Sequence, residues 1–142
     1  MIEMPVEERL AIQELTHKYS MFCDTFQLEK LMGLFTDDAV FDESPFGASV
    51  CTGKAELREY FSRGFEGLWL AHYISNGLIN EYSGDEARGT CFVHAEVRLR
   101  SNNKPWQLHG YYDDHYVKID GQWRFKNRVV IPLIKPDDQD FL

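Results

Sequence analysis

Ile12, Leu15, Tyr19, Phe22 and Phe26 recur at three- and four-residue intervals, which places them on one stripe of an amphipathic helix. Pro5 with Glu7 and Glu8 behind it suits the start of that helix, where a missing N–H costs little and a carboxylate meets the positive end of the dipole. Leu28, Leu31, Met32 and Phe35 predict a second, short helix over about residues 25–35. TDDAVFD reads as a turn into a short strand. A loop holding Pro45, Gly47 and Gly53 leads to a third helix, KAELREYFSRGF, with Leu57, Phe61 and Phe65 on one face.

The second half reads as strands. WLAHYISNGLINEY, TCFVHAEVRLR, WQLHGYYDDHYVKI and WRFKNRVVIPLI are separated by the turn segments SGDEARG, SNNKP and DGQ. Asp120-Gly121 is a strong hairpin signal. Helices first and an antiparallel meander afterwards predict an α+β domain, with three N-terminal helices against a curved, mostly antiparallel sheet. Four long strands bent around three helices are expected to enclose a pocket for a small ligand. The acidic end KPDDQDFL, residues 135–142, is expected to be mobile.

Composition narrows the partners. A chain of 142 residues forms one domain, and 44% apolar with 14% aromatic residues specifies a packed core. The net charge of −8 comes without any cluster of Lys and Arg, which argues against nucleic acid and anionic membrane surfaces. No apolar run approaches the roughly 20 residues of a membrane span. The start, MIEMPVEERLAIQEL, has no apolar signal core, and Cys23, Cys51 and Cys91 are isolated, so the expected compartment is the reducing cytoplasm.

Two motifs are set aside. GASVCTGKA contains Gly-Lys, but five residues separate Gly47 from Gly53 where a phosphate loop has four, and Ala55 stands where Ser or Thr would hold magnesium. In YYDDHYV, alternation puts Asp113 and His115 on one strand face and Asp114 on the other, with no second cluster at ligand spacing, so no metal is expected. The acid in THKYSMFCDTFQLEKLMGLF is more informative. Asp24 sits at the seam of two helical patterns, near the negative pole of the first. It either forms a capping box with Gln27 or faces a cavity and orients a catalytic group.

The stretches IQELTHKYSMFCD, LMGLFTDDAVFD, HYISNGLI and GYYDDHYVKIDGQWRFKNRVV resemble the SnoaL-like branch of the NTF2-like superfamily, most of all its bile-acid 7α-dehydratases and hexachlorocyclohexane dehydrochlorinases. The resemblance spans nearly the whole chain and implies a cone-shaped α+β barrel around a hydrophobic pocket. It also implies a cofactor-independent lyase acting on an apolar, polycyclic or alicyclic small molecule. Asp24 and His72 fall on the family's Asp–His dyad, and Tyr19 and Arg128 on two further pocket positions. In that chemistry the imidazole takes a proton from carbon, the carboxylate fixes its tautomer, and Tyr19 or Arg128 stabilises the leaving group. A ketosteroid-isomerase-like enzyme and a non-catalytic binding or accessory subunit, as in ring-hydroxylating dioxygenases, stay open. The relatives also imply a homo-oligomer, trimer or alternatively dimer.

Geometry sets two conditions. Tyr19 and Asp24 lie about 140° apart around an ideal helix, so a shared pocket calls for a helix that ends or bends between them. Strict alternation puts Arg128 opposite Trp123 and Phe125, so an inward Arg128 requires a bulge near Asn127. His94, sharing a face with Glu96, Arg98 and Arg100, is expected to point outward, and His109 has no assignable role.

Overall fold

The computed structural model describes residues 2–134; the acidic end expected to be mobile lies outside the described residues. Helix α1 (Val6–Asp24) follows Pro5, whose carbonyl accepts the Arg9 N–H at 3.1 Å. It buries Ile12, Leu15, Tyr19 and Cys23 at helical spacing. Phe26 then takes a left-handed φ of 57°, which breaks the helical path, so α2 is confined to Leu28–Met32 rather than the longer span expected. Strand β1 (Phe35–Asp42), a 3-10 turn (Ser44–Phe46), β2 (Val50–Thr52) and α3 (Gly53–Gly67) complete the first half. The second half is β3 (Leu68–Tyr82), β4 (Glu86–Leu99), β5 (Pro105–Ile119) and β6 (Gln122–Pro132).

All six strands form one sheet in the order β2-β1-β6-β5-β4-β3, antiparallel except where β1 runs beside β6. The sheet is curved but unclosed, with β2 and β3 as its edges. Asp120 and Gly121 both take positive φ, 51° and 77°, as a two-residue hairpin of matching twist demands. Register slips at four points among the described residues, two of which lie beside candidate site residues. β3 loses register between Ser75 and Leu78, and β6 carries an extra residue, because His115 pairs with Asn127 while Tyr116 pairs with Phe125. Lys126 is left over between them.

The concave side is packed with rings. Tyr19 has its ring centroid 5.7–6.3 Å from those of Phe35, Phe41, Phe61, Tyr112 and Phe125. The middle of the expected pocket is therefore filled by side chains. Open space lies instead at the β3 edge, where a recess of about 230 Å³ is lined by His17, Ser20, Met21, Asp24, His72 and Ile74. A slightly larger recess, about 260 Å³, lies at the far end of β3 and β4 among Glu81, Tyr82, Ser83, Glu86, Ala87 and Arg88. It holds two acids and no imidazole, so the chemistry points to the first. No helix among the described residues is long and apolar enough to cross a membrane.

Candidate functional site

Asp24 is the last residue of α1, and the capping box with Gln27 does not form. The carbonyl left open at the end of α1, that of Met21, is met by Thr25, whose N–H and hydroxyl donate to it at 3.0 and 2.6 Å. Gln27 donates to the Thr25 hydroxyl and leaves α2 without a side-chain cap. The Asp24 carboxylate is thereby free to reach the sheet. Its Oδ2 accepts the backbone N–H of His72 at 2.7 Å and its Oδ1 meets His72 Nδ1 at 2.5 Å. β3 is an edge strand, so its outward N–H needs a partner, and the acid supplies one while clamping the ring. The two side chains retain 23% and 12% of their exposure, enough for a ligand in the recess to reach them. With Nδ1 held against a carboxylate, Nε2 is the nitrogen left to accept a proton.

Tyr19 does not meet the condition set for sharing a pocket with Asp24, and it does not line the recess that Asp24 lines. α1 neither ends nor bends before Asp24, so the two side chains diverge as ideal helical geometry requires. The imidazole spans the gap: Asp24 holds one ring nitrogen, and the Tyr19 ring stands edge-on to the same imidazole at 6.2 Å between centroids. Burial pushes the Tyr19 hydroxyl and the Cys23 thiol well above their usual ranges. Tyr19 is thus a neutral core residue in contact with the dyad.

Arg128 does face inward, and the bulge at Lys126 is the reason. Trp123 and Phe125 point into the core, the extra residue resets the alternation, and Arg128 then shares their face with none of its surface exposed. Its Nε and Nη2 donate to Asp114 Oδ1 and Oδ2 at 2.8 and 3.0 Å. The guanidinium lies 3.6 Å from the Tyr112 ring centroid, 4.2 Å from Phe125 and 4.4 Å from Tyr19. Burial opposes the charge, and the Asp114 carboxylate more than offsets it, so Arg128 stays cationic. Nη1 has no protein partner among the described residues, a buried donor turned to the interior.

Two acids escaped sequence reasoning. Asp114 is paired in register with Arg128 and also accepts the Tyr116 hydroxyl at 2.8 Å. The signal was there in the alternation of Gly110, Tyr112, Asp114 and Tyr116 on one buried face. Glu43 is the second. Ala39 and Phe41 of β1 point inward, and Glu43, one step past the strand, continues that face. Burial raises the pKa of its carboxyl, against the opposing pull of Tyr60 and His72. His94 and His109 stack on each other at 4.5 Å on the outer face, away from the dyad. Among the described residues no group of three or more His, Cys, Asp or Glu is placed to hold a metal.

Residues 4–129 match the family model described as a SnoaL-like domain. The fold is similar to that of a candidate aromatic ring hydroxylase from Novosphingobium aromaticivorans, 29% identical with 93% of each chain covered and a TM-score of 0.89. A candidate scytalone dehydratase from the same organism is 28% identical, with 94% of this chain and 89% of that one covered and a TM-score of 0.86. Hexachlorocyclohexane dehydrochlorinase from Novosphingobium barchaimii is 21% identical, with 94% and 92% covered and a TM-score of 0.80, a likeness of fold alone. No curated protein matches the chain in sequence.

Proposed function

The chain belongs to the family of SnoaL-like domains, with the NTF2-like cone fold, and from that premise we propose that it is a cofactor-independent lyase, removing water or a hydrogen halide from a hydrophobic small molecule. The observation that carries the reading is the 2.5 Å contact between Asp24 Oδ1 and His72 Nδ1 beside a recess. An imidazole so held has its free Nε2 ready to accept a proton from carbon, and the carboxylate stabilises the imidazolium that forms. The departing group needs a donor or positive charge, and the unpaired Nη1 of Arg128 is one. Tyr19 keeps the imidazole edge-on and its far side dry.

A candidate scytalone dehydratase among the similar structures supports elimination as the reaction class. The isomerase reading ranks second. It draws on Glu43 and Tyr60, whose pKa values burial raises, but it requires a carboxylate base on the sheet, where the positioned base is His72. The exposed Trp69, Tyr73 and Phe92 on the outer sheet support self-association, for which a trimer is the expected form.

The test is turnover of a panel of hydroxylated and halogenated alicyclic rings by the wild type and His72→Ala. Elimination that disappears in the variant supports the assignment. A variant that turns over as fast as the wild type refutes it.

A further inference from the structure

We propose that His17 is the acid that protonates the departing oxygen, and that the recess is therefore built to expel a hydroxyl group from a small oxygenated ring. This deepens the lyase reading and rests on it. His17 lines the same recess as Asp24 and His72. It stands seven residues before Asp24 on α1, which in an ideal helix is about 10 Å back along the axis and about 20° around it. Both side chains therefore leave the helix on one face. The imidazole clamped by Asp24 meets one end of that face, and His17 forms the other end, two turns away. Ser20 and Met21 line the recess between them, and Ile74, two residues along β3 from His72, lines it from the sheet.

The lining groups differ in what they can do. Asp24 is committed to His72, Met21 and Ile74 are apolar, and Ser20 carries a hydroxyl far too weakly acidic to give up a proton. His17 is the other lining group able to hand one over, since an imidazole both gives and takes protons near neutral pH. Nothing else claims it. Glu14, one turn back, pairs with Lys18 at 3.7 Å, and among the described residues no hydrogen bond or ion pair engages the His17 ring. The residue is exposed, so solvent can recharge it after each turnover. Arg128 can hydrogen-bond an oxygen but keeps its own proton, and it does not line the recess. Size and polarity describe the ligand. A volume of about 230 Å³ falls below the roughly 300–1,000 Å³ of pockets for drug-sized molecules, so the recess seats a single ring. The Ser20 hydroxyl is buried with no protein partner among the described residues, a polar atom that an oxygen-bearing ring can match and a hydrocarbon cannot.

Atoms and charges balance. His72 Nε2 takes the proton from carbon, the C–H electron pair becomes the new double bond, and the C–O bond breaks with its pair going to oxygen. The oxygen leaves as water with the proton of the His17 imidazolium. His72 is then cationic and His17 neutral; His72 releases its proton to water and His17 takes one from water, which restores the starting state. Chloride needs no proton to leave, so a site for halide alone has no use for this acid.

The experiment uses matched β-hydroxy and β-chloro cyclohexanones, with uncatalysed elimination subtracted, on the wild type, His17→Gln and His72→Ala. His17→Gln is expected to lose roughly 10²–10⁴-fold in kcat on the hydroxy substrate and only a few-fold on the chloro one. The position is exposed, so the variant should fold, and its turnover of the chloro substrate reports that it has. Titration of the wild type with unsubstituted cyclohexanone, followed by the nitrogen NMR signals of the histidine rings, should shift those of His17 and His72 together. Equal losses on both substrates, no loss on the hydroxy one, or a His17 signal that stays in place overturns the acid role alone. Turnover insensitive to His72→Ala, or no wild-type turnover of either substrate, overturns the lyase reading and the acid role with it.

Discussion

Replacing Asp114 by alanine strips the guanidinium of Arg128 of its counter-ion in a place where water cannot replace it. Both side chains are fully buried, the two hydrogen bonds are 2.8 and 3.0 Å, and three aromatic rings close the surroundings. An orphaned buried charge costs about 3–5 kcal/mol. The Tyr116 hydroxyl loses its acceptor as well, adding about 1 kcal/mol or more. The expected loss is about 4–6 kcal/mol, a large part of the roughly 5–15 kcal/mol that holds a domain together. At about 3 °C per kcal/mol for a chain of this length, Tm should fall by roughly 12–18 °C. Urea unfolding followed by circular dichroism measures it, with an unchanged slope confirming that the same state unfolds.

The pairing makes a second demand. Arg128→Met alone should also destabilise, because it leaves the Asp114 carboxylate buried without a cation. Asp114→Leu combined with Arg128→Met should recover most of the loss, since neither charge then remains to be desolvated. The double variant is expected to fold and to lose turnover, because Nη1 is gone. A loss under about 1 kcal/mol for Asp114→Ala, or a double variant whose loss equals the sum of the singles, would refute the reasoning.

Three further outcomes follow from other contacts. Asp24→Asn keeps the shape but offers an amide N–H to Nδ1, which favours the wrong tautomer; kcat should drop about 10²–10⁴-fold while stability falls by only about 1–2 kcal/mol, read by steady-state kinetics and urea melts. Burial raises the folded-state pKa of Glu43, so its proton is bound more tightly in the native than in the unfolded chain. Its penalty is absent below the ordinary value of 4.5 and grows as pH rises through the folded value, so Glu43→Gln should gain stability relative to wild type over that interval; a gap independent of pH contradicts this. Glu8 has the opposite sign. Hydrogen bonds from Lys118 and Trp123, at 2.6 and 2.5 Å, hold its carboxyl below the usual 4.5, so its contribution is present above that value and disappears as pH falls through the folded one. Thermal melts of Glu8→Gln should converge on the wild type at acid pH.

Much of the fold was legible because period and punctuation are local properties. The stripe of Ile12, Leu15 and Tyr19 is buried, the four long strands fall where alternation and turn residues place them, and Asp120-Gly121 turns with both φ positive. The start of α2 was misjudged because Phe26 adopts a left-handed conformation that no residue type announces. Asp24 and His72 were legible only through family resemblance, since no periodicity links two residues on different elements. The bulge needed for an inward Arg128 was legible as a condition, and its position at Lys126 was not.

By itself the sequence determined which positions are apolar, where the chain turns, which faces of each element seek burial, and that its surface carries net negative charge. Tertiary structure decided the pairings: that Asp24 clamps an imidazole instead of capping a helix, and that Arg128 finds Asp114. It also decided that rings, rather than space, fill the middle of the cone. The physical reason is the reach of the forces. Propensity and amphipathicity act within a few residues, whereas desolvation and charge pairing depend on distances that exist only once the sheet has curved and the helices have docked.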